Sequence, residues 1–173
     1  MKQLTLAMIL ILTAVTAAAN QHMENPMKQL EPLLGTWQCT GIAYATPWFP
    51  EHATTAEVTQ KWAMDGKWLM YSYAEKKTAE NPMPFAASGY MGYDPEMKMY
   101  VVGGVDSTGG YATGASNGWT GDALVFEGPW HIGGMTAKSR DTFTKKGNQI
   151  THLGELEYEG KWLKMGQETC TKK

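Results

Sequence analysis

From Gly35 to the end of the chain, apolar and polar residues alternate in short runs, each bounded by glycine, proline, asparagine or aspartate. A period of two places successive side chains on opposite faces of a strand, so the pattern predicts β-structure. Turn chemistry sets the limits of each strand. Asp65-Gly66 joins 54–64 to 67–75 and Asn117-Gly118 joins 109–116 to 120–127, because both residue pairs accept positive φ. Asp94-Pro95 separates 85–93 from 97–105, Lys146-Gly147-Asn148 separates 136–144 from 149–157, and Glu159-Gly160 leads into 161–171. With 35–45 at the start, about ten strands follow one another. The one helical signal is 28–34, where Leu30, Leu33 and Leu34 surround Pro32 and predict a short turn at one end. The expected class is all-β: a single up-and-down antiparallel β-barrel of about ten strands with a short N-terminal capping helix. Closure is expected because it removes exposed strand edges.

The ends of the chain change that picture. Lys2, the apolar run 4–15 and Ala17-Ala18-Ala19 match an export signal, which predicts a signal peptide at 1–19, a flexible leader at 20–29 and one barrel domain at 30–173. No other stretch has the length of a spanning helix. The expected location is exported, either periplasmic or secreted. An oxidising compartment permits a disulfide, and the only two cysteines, Cys39 and Cys170, lie on the first and last strands. Closing the meander makes those strands neighbours, so a Cys39–Cys170 bond is expected.

A net charge of −2 with no Lys/Arg run gives no concentrated basic face for phosphates, which excludes nucleic acid as a partner. The 19 glycines, seven tryptophans, eight tyrosines and 12 methionines suggest tight turns and a wall of large, soft side chains.

The opening Leu30-Glu31-Pro32-Leu33-Leu34-Gly35-Thr36-Trp37 resembles the Gly-x-Trp start of the calycin group, which comprises lipocalins, fatty-acid-binding proteins and nitrobindin-like barrels. The chain is more closely similar to a bacterial family of exported lipocalin-like proteins of unknown function. That similarity is carried by the same opening, the Trp62 to Trp68 hairpin, the run Gly89-Tyr90-Met91-Gly92-Tyr93-Asp94 and the ending Glu168-Thr169-Cys170-Thr171. The resemblance implies that Trp37 plugs the barrel floor. It does not transfer a function, because the group binds many ligands. The arginine and tyrosine clamp of fatty-acid carriers has no counterpart, since Arg140 is the only arginine and alternation puts it with Lys138, Thr136 and Thr142 on an outward face.

Candidate chemistry centres on the inward faces. Asp141 shares a face with Met135 and Phe143, His152 with Gly154 and Leu156, and Glu168 with Cys170 and Gly166. If those faces point inward, Asp141, His152 and Glu168 form a polar cluster with Tyr73 or Tyr90. Such a cluster could serve acid–base chemistry, or its members could be satisfied structurally by backbone donors. The resemblance to nitrobindin-like barrels adds haem, through His152, as a possible cofactor; otherwise no cofactor is expected. No metal is expected: His22 with Met23 and Met27 makes a weak soft-metal set, and no histidine pair has ligand spacing. The turn at Ser107 lacks a nucleophile elbow, and Gly103-Gly104 and Gly109-Gly110 precede no helix.

The expected function is binding of a small hydrophobic or aromatic molecule inside the barrel, as a carrier or sensor. Trp37, Trp68, Tyr73, Tyr90, Asp141, His152 and Glu168 are the cavity candidates. Trp48 and Phe49, between Pro47 and Pro50, are the portal. Alternatives are a haem-dependent or cofactor-free enzyme and a structural protein with a filled core; catalysis is left open.

Overall fold

The computed structural model describes residues 25–173. The expected signal peptide, His22 and Met23 lie outside this range. A 3-10 helix, Pro26–Leu33, precedes eleven strands: β1 (Gly35–Ala43), β2 (His52–Ala63), β3 (Trp68–Glu75), β4 (Ala86–Asp94), β5 (Met99–Asp106), β6 (Tyr111–Ser116), β7 (Trp119–Thr120), β8 (Ala123–Ile132), β9 (Met135–Lys146), β10 (Gln149–Tyr158) and β11 (Lys161–Lys172). Every pairing is antiparallel. Ten strands close a ring through the β6–β8 and β1–β11 pairings, and β7 is a two-residue spur on β8.

The predicted strand 120–127 is corrected by this spur. Gly121, at φ +60°, turns the chain back at once, so the long strand starts at Ala123 and runs on to Ile132. Pro129 lies inside it. Proline offers no N–H, and the β6–β8 ladder skips there, pairing Ala112 with Trp130 and then Ala115 with Glu127.

The two ends of the barrel differ. At the closed end the 3-10 helix buries Met27, Leu30 and Leu33 among Leu69, Leu124 and Phe126. The polar groups freed by this short helix find partners in the barrel wall: Trp37 Nε1 donates to the Leu33 carbonyl (2.9 Å), Tyr100 to that of Pro26 (2.8 Å) and Trp119 to that of Gln29 (2.7 Å). Residues 26–29, in the segment expected as leader, belong to this packed turn. The other end carries the loops 44–51 and 76–85 and the β8–β9 and β10–β11 hairpins. Cys39 and Cys170 are register partners on β1 and β11 and form a disulfide across 131 residues of sequence.

Candidate functional site

Inward positions at mid-height of the barrel hold few bulky side chains. Gly41, Gly89, Gly104, Gly114, Gly154 and Gly166 all fall on the inner face by strand alternation and register. At Gly104 and Gly89 an added Cβ would stand 2.1 and 2.6 Å from Tyr71 Oη, so these glycines make room for the phenol. At Gly154 the nearest atoms would be Asp141 Oδ1 at 3.7 Å and the His152 ring at 3.9 Å, which leaves that position open.

Around this space five strands bring together a polar row. His152 Nε2 and Asp141 Oδ1 are 2.8 Å apart, and the imidazole stacks on Phe143 with centroids 4.8 Å apart. Glu168, beside His152 in the β10–β11 register, accepts hydrogen bonds on Oε1 from Tyr73 (2.7 Å) and Thr54 (2.9 Å). Although protein surrounds His152, 30% of its side chain stays water-accessible, as does 44% of that of Asp141. Side chains enclosed in this way and still wet line a cavity. The cavity bordered by Tyr71, Phe126, Gly128, Ser139 and Asp141 measures about 60 Å³. A larger recess of about 270 Å³ lies on the rim beside the stacked Tyr111 and His131; the smaller cavity shares only Asp141 with the polar row, and we place the site at the row itself, over the open position at Gly154.

The electrostatics follow from this enclosure. Burial opposes a charged His152, but the hydrogen bond and charge of Asp141, helped by the charge of Glu168, outweigh it and raise its pKa above the ordinary 6.5. Burial pushes the Tyr71 phenol up to about 12, with Asp141 and Asp106 adding to the effect. Tyr73 is driven up further, by burial and then by Glu168 and Glu75, so it serves as a hydrogen-bond donor. Two other carboxylates sit nearer the rim. Glu75 Oε2 accepts from Asn81 and the Phe85 N–H, while its Oε1 lies 3.2 Å from the Tyr73 hydroxyl, whose single proton is nearer Glu168. Asp106 takes Thr108, Gly110 and Trp130, and these donors overcome burial to hold its pKa down.

The expected cavity residues divide. Tyr73, Asp141, His152 and Glu168 meet inside. Trp37 lies below them, committed to the floor. Trp68 and Tyr90 are a correction: they pack edge-on, with centroids 5.1 Å apart, on the outer face. Their strand neighbours Leu69, Gly89 and Met91 take the inside, and the two rings lie over Gly92 and Gly103. Trp48 and Phe49 are half-exposed in the open-end loop, where Trp48 packs edge-on against Tyr158. Arg140 is outside, bound to Glu155 at 2.7 Å and lying over Trp162. Sequence reasoning passed over Thr54 and Tyr71, although Tyr71 shares the alternation of Leu69 and Tyr73.

His152, the residue expected to hold a haem, has Nε2 engaged by Asp141 and one face of its ring covered by Phe143. Among the described residues, the only trio of metal-ligand atoms lying together is Cys39, Glu168 and Cys170, and its two sulfurs are bonded to each other.

The model of the family described as "Protein of unknown function (DUF1579)" matches residues 22–172. Among solved structures, the chain is similar to the crystal structure of Rv2717c from M. tuberculosis, with 15% identity and a TM-score of 0.68, over 86% of this chain and 98% of that one. That identity speaks for the fold alone. No curated protein matches the chain.

Proposed function

For a chain that belongs to the DUF1579 family, we propose that the barrel is an exported carrier or sensor that binds one small, largely aromatic molecule in its interior. One observation carries this reading: Gly154 puts no side chain into the space beside Asp141 and His152, so both remain wet inside a closed barrel. A filled structural core would have no use for that space, because an empty cavity is destabilising. Aromatic rings from Tyr71, Tyr73 and Phe143 supply the flat contact surface, and the loop holding Trp48 and Phe49 lies at the open end.

Native mass spectrometry of protein recovered from its own cells tests the proposal. A co-purifying mass is expected in the wild type and should be missing from Gly154→Leu, whose added side chain enters open space. A wild-type barrel that carries no mass, and that no compound in a small-molecule library stabilises, would sink it.

A second reading, cofactor-free acid–base catalysis, is favoured by one detail. Asp141 holds His152 by Nε2 and leaves Nδ1 without a partner among the described residues, the arrangement of an oriented general base.

A further inference from the structure

The outside of the barrel is not uniform, and one wall is set apart by what it lacks. Alternation and register put the even-numbered positions 68–72 of β3 and 88–92 of β4, and the odd-numbered positions 101–105 of β5 and 111–115 of β6, side by side on the outer face. None of these positions is Asp, Glu, Lys or Arg. Trp68, Met70, Tyr90, Val101, Val105 and Tyr111 are the large members; Tyr90, Val105 and Tyr111 are exposed, Val105 by 62%. Charges resume at the borders: Glu57 and Lys61 on β2, Asp94 at the β4–β5 turn, and Glu127 on β8, ion-paired with Lys138 at 2.7 Å.

Two glycines shape this wall. Gly92 and Gly103 face outward, so they add nothing to the space inside, and glycine within a strand weakens it. A Cβ on Gly92 would stand 2.4 Å from the Trp68 ring and one on Gly103 would stand 2.6 Å from Tyr90 Oη, so both rings lie down on the sheet. The two largest side chains of the wall are thereby kept from protruding, and the wall is flat. A flat apolar sheet face fits another sheet face, packed about 10 Å away. With strands about 4.8 Å apart and about 3.4 Å per residue along them, the uncharged area projects to roughly 400 Å². A stable interface takes about 800 Å² from each partner, with an aromatic and apolar core depleted of charge and a polar rim. The wall has the composition of such a core, and its charged borders have that of the rim.

We infer that this wall is the contact face of a symmetric dimer, in which a second copy of the chain packs its own β3–β6 wall against it. In a two-fold contact each patch meets itself, so a patch with net charge would be set against like charge. This one carries none, and the borders on β2 and β8 each carry both signs, with Lys138 beside Glu127. A lipid surface is a poorer fit, because interfacial binding uses protruding apolar side chains and a surplus of Lys/Arg. A partner that docks by charge would find no countercharge on the wall. The inference is independent of what the barrel holds inside.

Sedimentation velocity on the protein recovered from its own cells tests the inference over concentrations from about 1 to 500 μM, since interfaces of standard size reach micromolar affinity or better. The wild type should pass from monomer to dimer with a Kd below ~100 μM. Ser88 and Val105 are exposed register partners within the wall, so Ser88→Glu and Val105→Glu disturb no buried side chain. Each should raise the Kd ~10-fold or more by placing an unpaired charge in the contact. Thr40→Glu, at an exposed position of β1 across the ring from β6, should leave it unchanged. Circular dichroism should show all of these variants folded like the wild type, and if one wall variant does not fold the other decides. A wild type that stays monomeric at the highest concentration overturns the inference. So does a dimer that tolerates both wall charges, which would be joined through another face. A monomer that binds neutral phosphatidylcholine vesicles, and loses that binding in Val105→Glu, would assign the wall to a lipid surface instead.

Discussion

At the scale of single residues, the Asp141–His152 contact does the most to set the character of the cavity. The raised pKa of His152 means that the folded state holds its proton more firmly than the unfolded chain does. The stability linked to this group is therefore fully present below the unfolded value near 6.5 and is lost as pH rises through the folded value. We expect NMR titration of the His152 ring to give a midpoint above 6.5 in the wild type. In Asp141→Asn the charge that favours the imidazolium is gone while burial remains, so the midpoint should fall; an unchanged midpoint would show that Asp141 does not hold the proton. Asp141, His152 and Glu168 were legible as candidates because alternation assigns each a face. Tyr71 was equally legible from the spacing of Leu69, Tyr71 and Tyr73. Tyr90 was misread because an aromatic flanked by glycines looks like a cavity ring, whereas the glycine beneath it, Gly103, makes a seat on the outer face.

At the scale of elements, the decisive contact is the seam between β1 and β11. Seven register pairs join the first strand to the last, and the disulfide lies among them. A bond closing so long a stretch of chain restricts the unfolded state strongly, with typical stabilisation of about 2–4 kcal/mol. Cys39→Ser with Cys170→Ser should then lower the thermal midpoint by roughly 5–15 °C in a chain of this size, measured by calorimetry against the oxidised wild type. The seam itself should persist, because its backbone pairs and the burial of neighbouring Ala56 do not depend on sulfur. Most strand limits could be read to within a residue or two from turn residues such as Asp65-Gly66, which sit at φ 56° and 77° in a turn that the structure extends to the four residues 64–67, with Met64 also at positive φ. The β7–β8 region could not, since whether Gly121 turns the chain or lies within a strand depends on which partner β8 finds.

At the scale of the whole molecule, the barrel divides into a packed floor and an open, polar upper half. Leu30 and Leu33 are fully buried in the floor. Truncating Leu30 to Ala leaves a cavity there and should cost about 2–5 kcal/mol in denaturant unfolding. The His152 titration midpoint, measured well below the new melting temperature, should be unchanged, because the polar row lies in a separate layer and distant sites act independently. A shift of that midpoint in step with the loss of stability would mean that floor and cavity are one cooperative unit. Membership of DUF1579 and the likeness to Rv2717c agree with this architecture at the level of the fold.

The sequence by itself determined the β class, most strand limits, the position of the capping turn and the face on which each polar candidate stands. These are local properties: a two-residue period and the φ preferences of turn residues act over a few positions whatever the rest of the chain does. Only the tertiary structure decided which face of each strand is the inside, that Asp141, His152, Glu168 and Tyr73 share one space, and that the uncharged positions of β3 to β6 form one outer wall. Those depend on ring closure, which brings β3, β9, β10 and β11 to one interior from positions far apart in the chain. Alternation is symmetric between the two faces, and only the closing of β1 on β11 and of β6 on β8 breaks that symmetry.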